Sequence, residues 1–200
     1  MRARVYVRLP IRSVSFAALM VFLPHTSSVR ADAVEGRPPL SSQALQGLGK
    51  EIGPTATSLV YRGLHRNGVV IWIERERVFY GLRIDRSSTV IADAVWCDEP
   101  WCQKDANPRE IKRRTGTESC KRPPVGGVAY NWTYLNWLGC QQEDCYFSGV
   151  SYQLFENGVV LGPLRTGRKH PEGIEYIIRE EGKWRALAIG RSAPECDRDP

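Results

Sequence analysis

The residues of this chain best suited to chemistry are its six tryptophans and their polar neighbours. Four of the six fall in two short stretches, "WCDEPWC" (Trp96 to Cys102) and "WTYLNWLGC" (Trp132 to Cys140). Flat aromatic faces stack on the apolar faces of sugar rings, and nearby amides then hydrogen-bond the hydroxyls. "YNWTYLNW" (Tyr130 to Trp137) carries both kinds of group. Successive side chains of a strand point to opposite faces. Read as a strand, this stretch sets Tyr130, Trp132 and Tyr134 on one face as a stacking platform, edged by Asn131 and Asn136. Trp101 and Trp72 are further ligand-stacking candidates. Packing is the competing expectation, because a Trp beside a disulfide is a frequent core arrangement in small β domains; Trp96 and Trp137 are assigned to it.

Signals for catalysis are sparse. There is no Gly-x-Ser-x-Gly elbow, no His-x-x-x-His metal pair and no Gly-rich phosphate loop. His65 and His170 are potential acid-base groups, but neither stands in a triad pattern. The acid pairs Asp98-Glu99, Glu143-Asp144 and Glu180-Glu181 would matter only if a cleft brought two carboxylates within glycosidase range. No catalytic residue, resident metal or cofactor is expected. Asn131-Trp132-Thr133 is a glycosylation sequon, meaningful only in a eukaryotic secretory route.

The N-terminus sets the compartment. Arg2, Arg4, Arg8 and Arg12 precede the apolar run "VSFAALMVFLP" (Val14 to Pro24), and "ADA" (Ala31 to Ala33) follows. A basic segment, a short apolar core and a small-x-small triplet make a secretory signal peptide over residues 1–33. The apolar run falls short of the roughly 20 residues a membrane-spanning helix needs. Cleavage near Ala33 would remove five Arg and one Asp, taking the formal charge from +6 to +2. A near-neutral mature chain argues against a nucleic-acid partner. The leader predicts a secreted, periplasmic or cell-envelope protein, with no integral membrane association after its removal.

Cys97, Cys102, Cys120, Cys140, Cys145 and Cys196 all lie beyond the leader. An even count in an exported chain predicts three disulfides among 15 possible connectivities. "CDEPWC" and "CQQEDC" are both Cys-x4-Cys, so each could close locally and leave Cys120 to meet Cys196. A four-thiolate zinc site is the rival use of the two pairs.

The elements that must position these groups read mainly as β. Residues 34–57, dense in Pro, Gly and Ser, are expected to be a linker or flexible arm. From Ser58 onward, over 58–200, the chain reads as a single small disulfide-stabilised domain of eight to ten short antiparallel strands. "ERER" (Glu74 to Arg77) and "REEGKW" (Arg179 to Trp184) supply charged hairpin turns, and a bend is expected at Gly149. Residues 103–124 form a polar, basic loop excursion with almost no apolar residue. Its "REIKRRTG" would suit an anionic polymer, but a solvated surface is the plainer expectation.

One phrase is written twice. "VYRGLHRNGVVIW" and "SYQLFENGVVLG" each place a Tyr shortly before Asn-Gly-Val-Val. Asn-Gly between apolar runs is the strongest short-range hairpin signal. Each copy therefore reads as strand, tight turn, strand, and the pair suggests a duplicated hairpin unit in a barrel- or propeller-like assembly. The second copy resembles an LGFP repeat, a module of bacterial exported and cell-envelope proteins. Tyr152, Phe155 and Gly158 fit its opening, followed by Arg165-Thr166-Gly167 and Gly173-Ile174, with "LAIGRSAPE" where the closing motif belongs. The first copy matches at Tyr61, Gly68 and Trp72. No Leu-Gly-Phe-Pro occurs, the cysteines lie outside the pattern, and the resemblance covers about half of the mature chain. It implies envelope association or glycan binding. Three functions compete: a non-catalytic binder of cell-wall or extracellular polysaccharide, a structural or inhibitory disulfide protein without a ligand site, and a small secreted hydrolase.

Overall fold

The run "GVVIWI" (Gly68–Ile73) lacks the apolar-polar alternation of a half-exposed strand because both of its faces are buried. A computed structural model describes residues 42–103, 105–167, 170–180, 182–192 and 196 of the chain. The expected leader, residues 1–33, lies outside them. Eight antiparallel strands form one sheet: β1 (Glu51–His65), β2 (Gly68–Ile73), β3 (Val78–Arg83), β4 (Ser88–Ile91), β5 (Gln141–Phe155), β6 (Gly158–Gly167), β7 (His170–Arg179) and β8 (Lys183–Ser192). Their spatial order is β4-β3-β2-β1-β5-β6-β7-β8. Two four-stranded meanders thus join through their first strands. The outer edges nearly close a barrel: Ser87 bridges Lys183, Ser88 N donates to Gly182 O at 2.8 Å, and Trp184 N donates to Arg86 O at 3.1 Å. Closure removes most of the exposed strand edge that an open sheet would present.

An eight-stranded barrel has an interior just wide enough for side chains to fill. Val60, Ile71, Leu82, Phe147, Leu161 and Ile178 fill it here. Arg62 shares this inner face at 2 % exposure and donates to Glu143 Oε1 at 3.2 Å. Side chains in the other phase, Tyr61, Val70, Trp72 and Phe79, point outward into a second core. The insertion between β4 and β5 covers that core.

The insertion is mainly helical. Helix α1 (Ser42–Leu45) precedes β1; the insertion then holds α2 (Pro108–Thr115), α3 (Gly126–Tyr130) and α4 (Trp132–Leu135), with 3-10 turns at Pro100–Cys102 and Asn136–Leu138. Asn107 caps α2 by accepting from Arg109 N at 3.0 Å, Pro108 starts it, and left-handed Gly116 ends it. The excursion expected as loop over 103–124 therefore contains a capped helix. β1 likewise begins at Glu51, inside the stretch expected as a flexible arm.

"VAYNWTYLNW" is not a strand. Val128, Leu135 and Leu138 recur at helical spacing and are fully buried. Gly126 and Gly127 seat α3 directly on Trp96; a Cβ on Gly127 would lie 2.4 Å from Trp96 O and 2.6 Å from Phe79 Cζ. Trp96 in turn packs among Tyr61 (4.9 Å between ring centroids), Phe79 (5.8 Å), Trp72 (5.9 Å) and Tyr146 (5.8 Å). Each such pair adds about 0.5–1.5 kcal/mol beyond its area burial.

All six cysteines are paired, which removes the zinc alternative. Cys97–Cys102 closes locally across the 3-10 turn, as its spacing suggests. The other two bonds are Cys120–Cys140 and Cys145–Cys196, correcting the expected Cys140–Cys145 and Cys120–Cys196. The reason is extension. Strand β5 starts at Gln141, and at about 3.3 Å per residue Cys140 and Cys145 stand some 16 Å apart. The expected bend at Gly149 is a bulge in this strand: Ser58 pairs with Val150 but Val60 with Phe147, and Gly149 has φ +64°.

Candidate functional site

The end of α2, the β1–β2 turn and the start of β5 meet in one cleft of about 410 Å³. Thr115, Gly116, Thr117 and Ser119 form one wall; Arg66 and Asn67 form the other. Trp132, Asn136, Gly139 and the Cys120–Cys140 disulfide complete the lining.

The walls are held stiffly. Arg66 N donates to Cys140 O and Asn67 N to Leu138 O, both at 3.0 Å. Asn67 Nδ2 donates to Trp137 O at 2.8 Å, which leaves its carbonyl oxygen as an acceptor for a ligand. Thr115 Oγ1 donates to Ile111 O at 2.8 Å and lies 2.7 Å from Thr117 Oγ1. The disulfide ties the loop after α2 to the start of β5 across a Cα separation of 5.3 Å. Trp132 is half-buried: it packs against the outer aromatic core and also lines the cleft. The described lining holds amides, hydroxyls, one guanidinium and one indole, but no carboxylate or imidazole. Such a set can stack on a ring and bind hydroxyls; it offers no acid-base pair.

The structure separates the residues expected to act together. Trp132 is in the cleft. Tyr130 and Tyr134, 38 % and 60 % exposed, are not in its lining. On α4, Tyr134 lies two residues from Trp132, about 200° round the helix. Tyr130 ends α3, and Asn131 breaks the helix between them. The three-ring platform is therefore replaced by one cleft tryptophan. Asp98 and Glu99 sit beside Tyr130 and raise its phenol above the ordinary value, Asp98 most.

The remaining candidates are packed. Trp72 is 5 % exposed and lies against Phe79 with ring centroids 4.4 Å apart, so no face is open to a ligand. Trp101 is half-buried in the insertion's own core beside Cys102, Ile111 and Ala129, with the Arg114 guanidinium 5.0 Å from its ring centre. Trp137 lies under Arg83, 3.9 Å from its guanidinium carbon. Asn131 is buried and spends its amide hydrogens on Val95 O at 3.0 Å and Gly127 O at 2.8 Å, so the sequon offers no free acceptor amide. Sequence reasoning missed Arg66, Asn67, Thr115, Thr117 and Ser119. The polar run after α2 was their only signal, and nothing in it indicates that it faces the Asn-Gly turn.

His65 precedes Arg66 and contacts Gly139, two of the cleft's lining residues. It is 2 % exposed, and its Nδ1 faces Gly139 O at 3.1 Å, which places the proton on Nδ1. Nε2 is buried without a partner. Burial is the main cause that pushes its pKa below the ordinary value; Gly139 and Asp144 oppose it more weakly. Folding therefore favours neutral His65, and the unfolded chain binds the extra proton as pH falls below about 6.5. Unfolding free energy is expected to decline from there downward, with a slope of at most about 1.4 kcal/mol per pH unit from this group. Urea midpoints of the wild type and His65→Gln across this range test it: the variant should lose part of the slope, and parallel curves would contradict the assignment.

No helix among the described residues is long and apolar enough to cross a membrane. No family model matches the chain, and no curated protein or solved structure is significantly similar to it, so the cleft's own geometry must indicate its ligand.

Proposed function

We propose that this is a secreted, non-catalytic glycan-binding protein of the cell envelope, which holds a polysaccharide segment in the cleft beside Trp132. The observation that carries this reading is the cleft's chemistry: one partly exposed indole, surrounded by amide and hydroxyl groups fixed by backbone hydrogen bonds and a disulfide. Fixed walls lower the ordering cost of binding. The leader-like N-terminus and three disulfides support export. The LGFP-repeat resemblance points to the same ligand class. A single stacked ring supports only weak binding per site, in the micromolar to millimolar range typical of a few kcal/mol above the association cost.

Co-sedimentation with purified cell-wall polysaccharide tests the proposal. Trp132→Ala should weaken retention about tenfold, the equivalent of about 1.4 kcal/mol. Tyr130→Ala and Tyr134→Ala should leave retention unchanged. Loss with the tyrosine variants and not with Trp132→Ala would move the site to the exposed face of α3 and α4 and reject the cleft.

A further inference from the structure

A second groove, of about 500 Å³, runs over the outer face of β7 and β8 beside the barrel seam. Arg86, Arg179, Lys183 and Arg185 converge on it, and its described lining contains no Asp or Glu. Three acids flank the groove without forming part of its described lining: Asp85 precedes Arg86, Glu175 pairs with Leu187, and Glu180 follows Arg179. Glu175 is buried. Glu180, in the β7–β8 turn, is close enough to Tyr80 in the barrel to help raise its phenol. Four cations around one hollow repel each other, and protein carboxylates in the lining do nothing to offset this.

Two of these cations are held in place. Arg179 donates through Nη2 to Gln46 O, and its guanidinium crosses Gly47, where a Cβ would stand 3.5 Å from Arg179 Cζ. Arg86 lies over Trp184, 4.7 Å from its ring centre, and Trp184 is fixed by donating from Nε1 to Arg83 O at 2.8 Å. Register pairing sets Arg179 opposite Lys183 and Ile177 opposite Arg185, so the flexible pair faces the anchored Arg179 across two strands. Rigid, forked guanidinium donors match tetrahedral oxyanions better than point charges do.

We propose that this groove is an anion site that takes a phosphate-bearing group, carried by a soluble polymer or by a lipid headgroup. A phosphate monoester brings close to two negative charges and three acceptor oxygens to four converging cations, and a phosphodiester brings one charge and two unbridged oxygens. The inference is independent of the Trp132 cleft.

Calorimetric titration of the full chain with sodium tripolyphosphate tests it, alongside sedimentation with phosphatidylcholine vesicles with and without phosphatidic acid. Saturable binding is expected to at least one phosphate probe and to weaken as salt rises. Lys183→Gln/Arg185→Gln should reduce the affinity about tenfold or more, since both side chains are exposed and the fold does not depend on them. Lys121→Gln/Arg122→Gln, with the same charge change elsewhere, should leave it unaltered. Binding to tripolyphosphate alone identifies a soluble or polymer-borne phosphate; added binding to phosphatidic acid vesicles identifies a headgroup. No saturable binding to either probe, or equal losses in the two double variants, would overturn the proposal.

Discussion

Gly68→Ala and Gly158→Ala are each expected to lower the unfolding free energy by about 3 kcal/mol, near the upper end of what overpacking costs in an otherwise intact fold. The two glycines follow the repeated asparagines and begin β2 and β6. A Cβ on Gly68 would lie 2.2 Å from Leu82 O on β3; one on Gly158 would lie 2.2 Å from Ile178 O on β7. Neither oxygen can yield, because each belongs to the backbone of the adjacent strand. Asn-Gly-Val-Val thus shares one physical reason in its two copies: each turn presses its glycine against the third strand of its meander, and the Val-Val that follows enters a strand buried on both faces. Gly158 additionally stands at φ +155°, which side chains rarely adopt. Gly149→Ala serves as the control. Gly149 is left-handed at φ +64°, but its Cβ would meet nothing within 4 Å, so only the conformational cost of about 1 kcal/mol applies. Urea unfolding of the three variants should rank Gly149→Ala well apart from the other two. Equal midpoint shifts would show that turn conformation, not close approach, demands the repeated glycine.

Removing Cys145–Cys196 by paired alanine substitution is expected to cost about 4 kcal/mol, and removing Cys97–Cys102 about 2 kcal/mol, from the loop lengths that the bonds close. The long bond also joins the residues after β8 to an inward-facing position on β5, within the barrel core. The short one tightens only a 3-10 turn. Thermal unfolding of the two double variants gives the ranking directly. A larger loss from Cys97–Cys102 would mean that the insertion, rather than the barrel, limits global stability.

The barrel was legible in the sequence because its signals are local. Asn67-Gly68, Asn157-Gly158 and the charged turn at Glu74 to Arg77 each join two β-rich runs, and each is a hairpin. The insertion was not, because tertiary contacts decide its structure. Helices α3 and α4 have five and four residues, too few to be stable alone. They exist because Gly126 and Gly127 let the backbone meet Trp96, a contact without a trace in the tyrosine-tryptophan alternation that imitates a strand. The cysteine pairing failed for a related reason. "QQED" is polar enough to pass for a loop, yet Arg62, Gly63 and Leu64 of β1 hold "EDC" extended at the start of β5. The cleft was legible only at Trp132 and Asn136. Its walls come from segments far apart in the chain, joined by a disulfide that spacing did not predict.

The occupancy of the Trp132 cleft can be read most directly from the indole N–H signals of nitrogen-labelled protein titrated with soluble, purified cell-wall oligosaccharides. The Trp132 signal is predicted to shift and saturate, while those of buried Trp72 and Trp96 stay in place, and Trp132→Ala should abolish the saturable response in the backbone signals of Asn67 and Asn136. A Trp132 signal unmoved at saturating ligand, or a response centred on Tyr130 and Tyr134, would contradict glycan binding in this cleft.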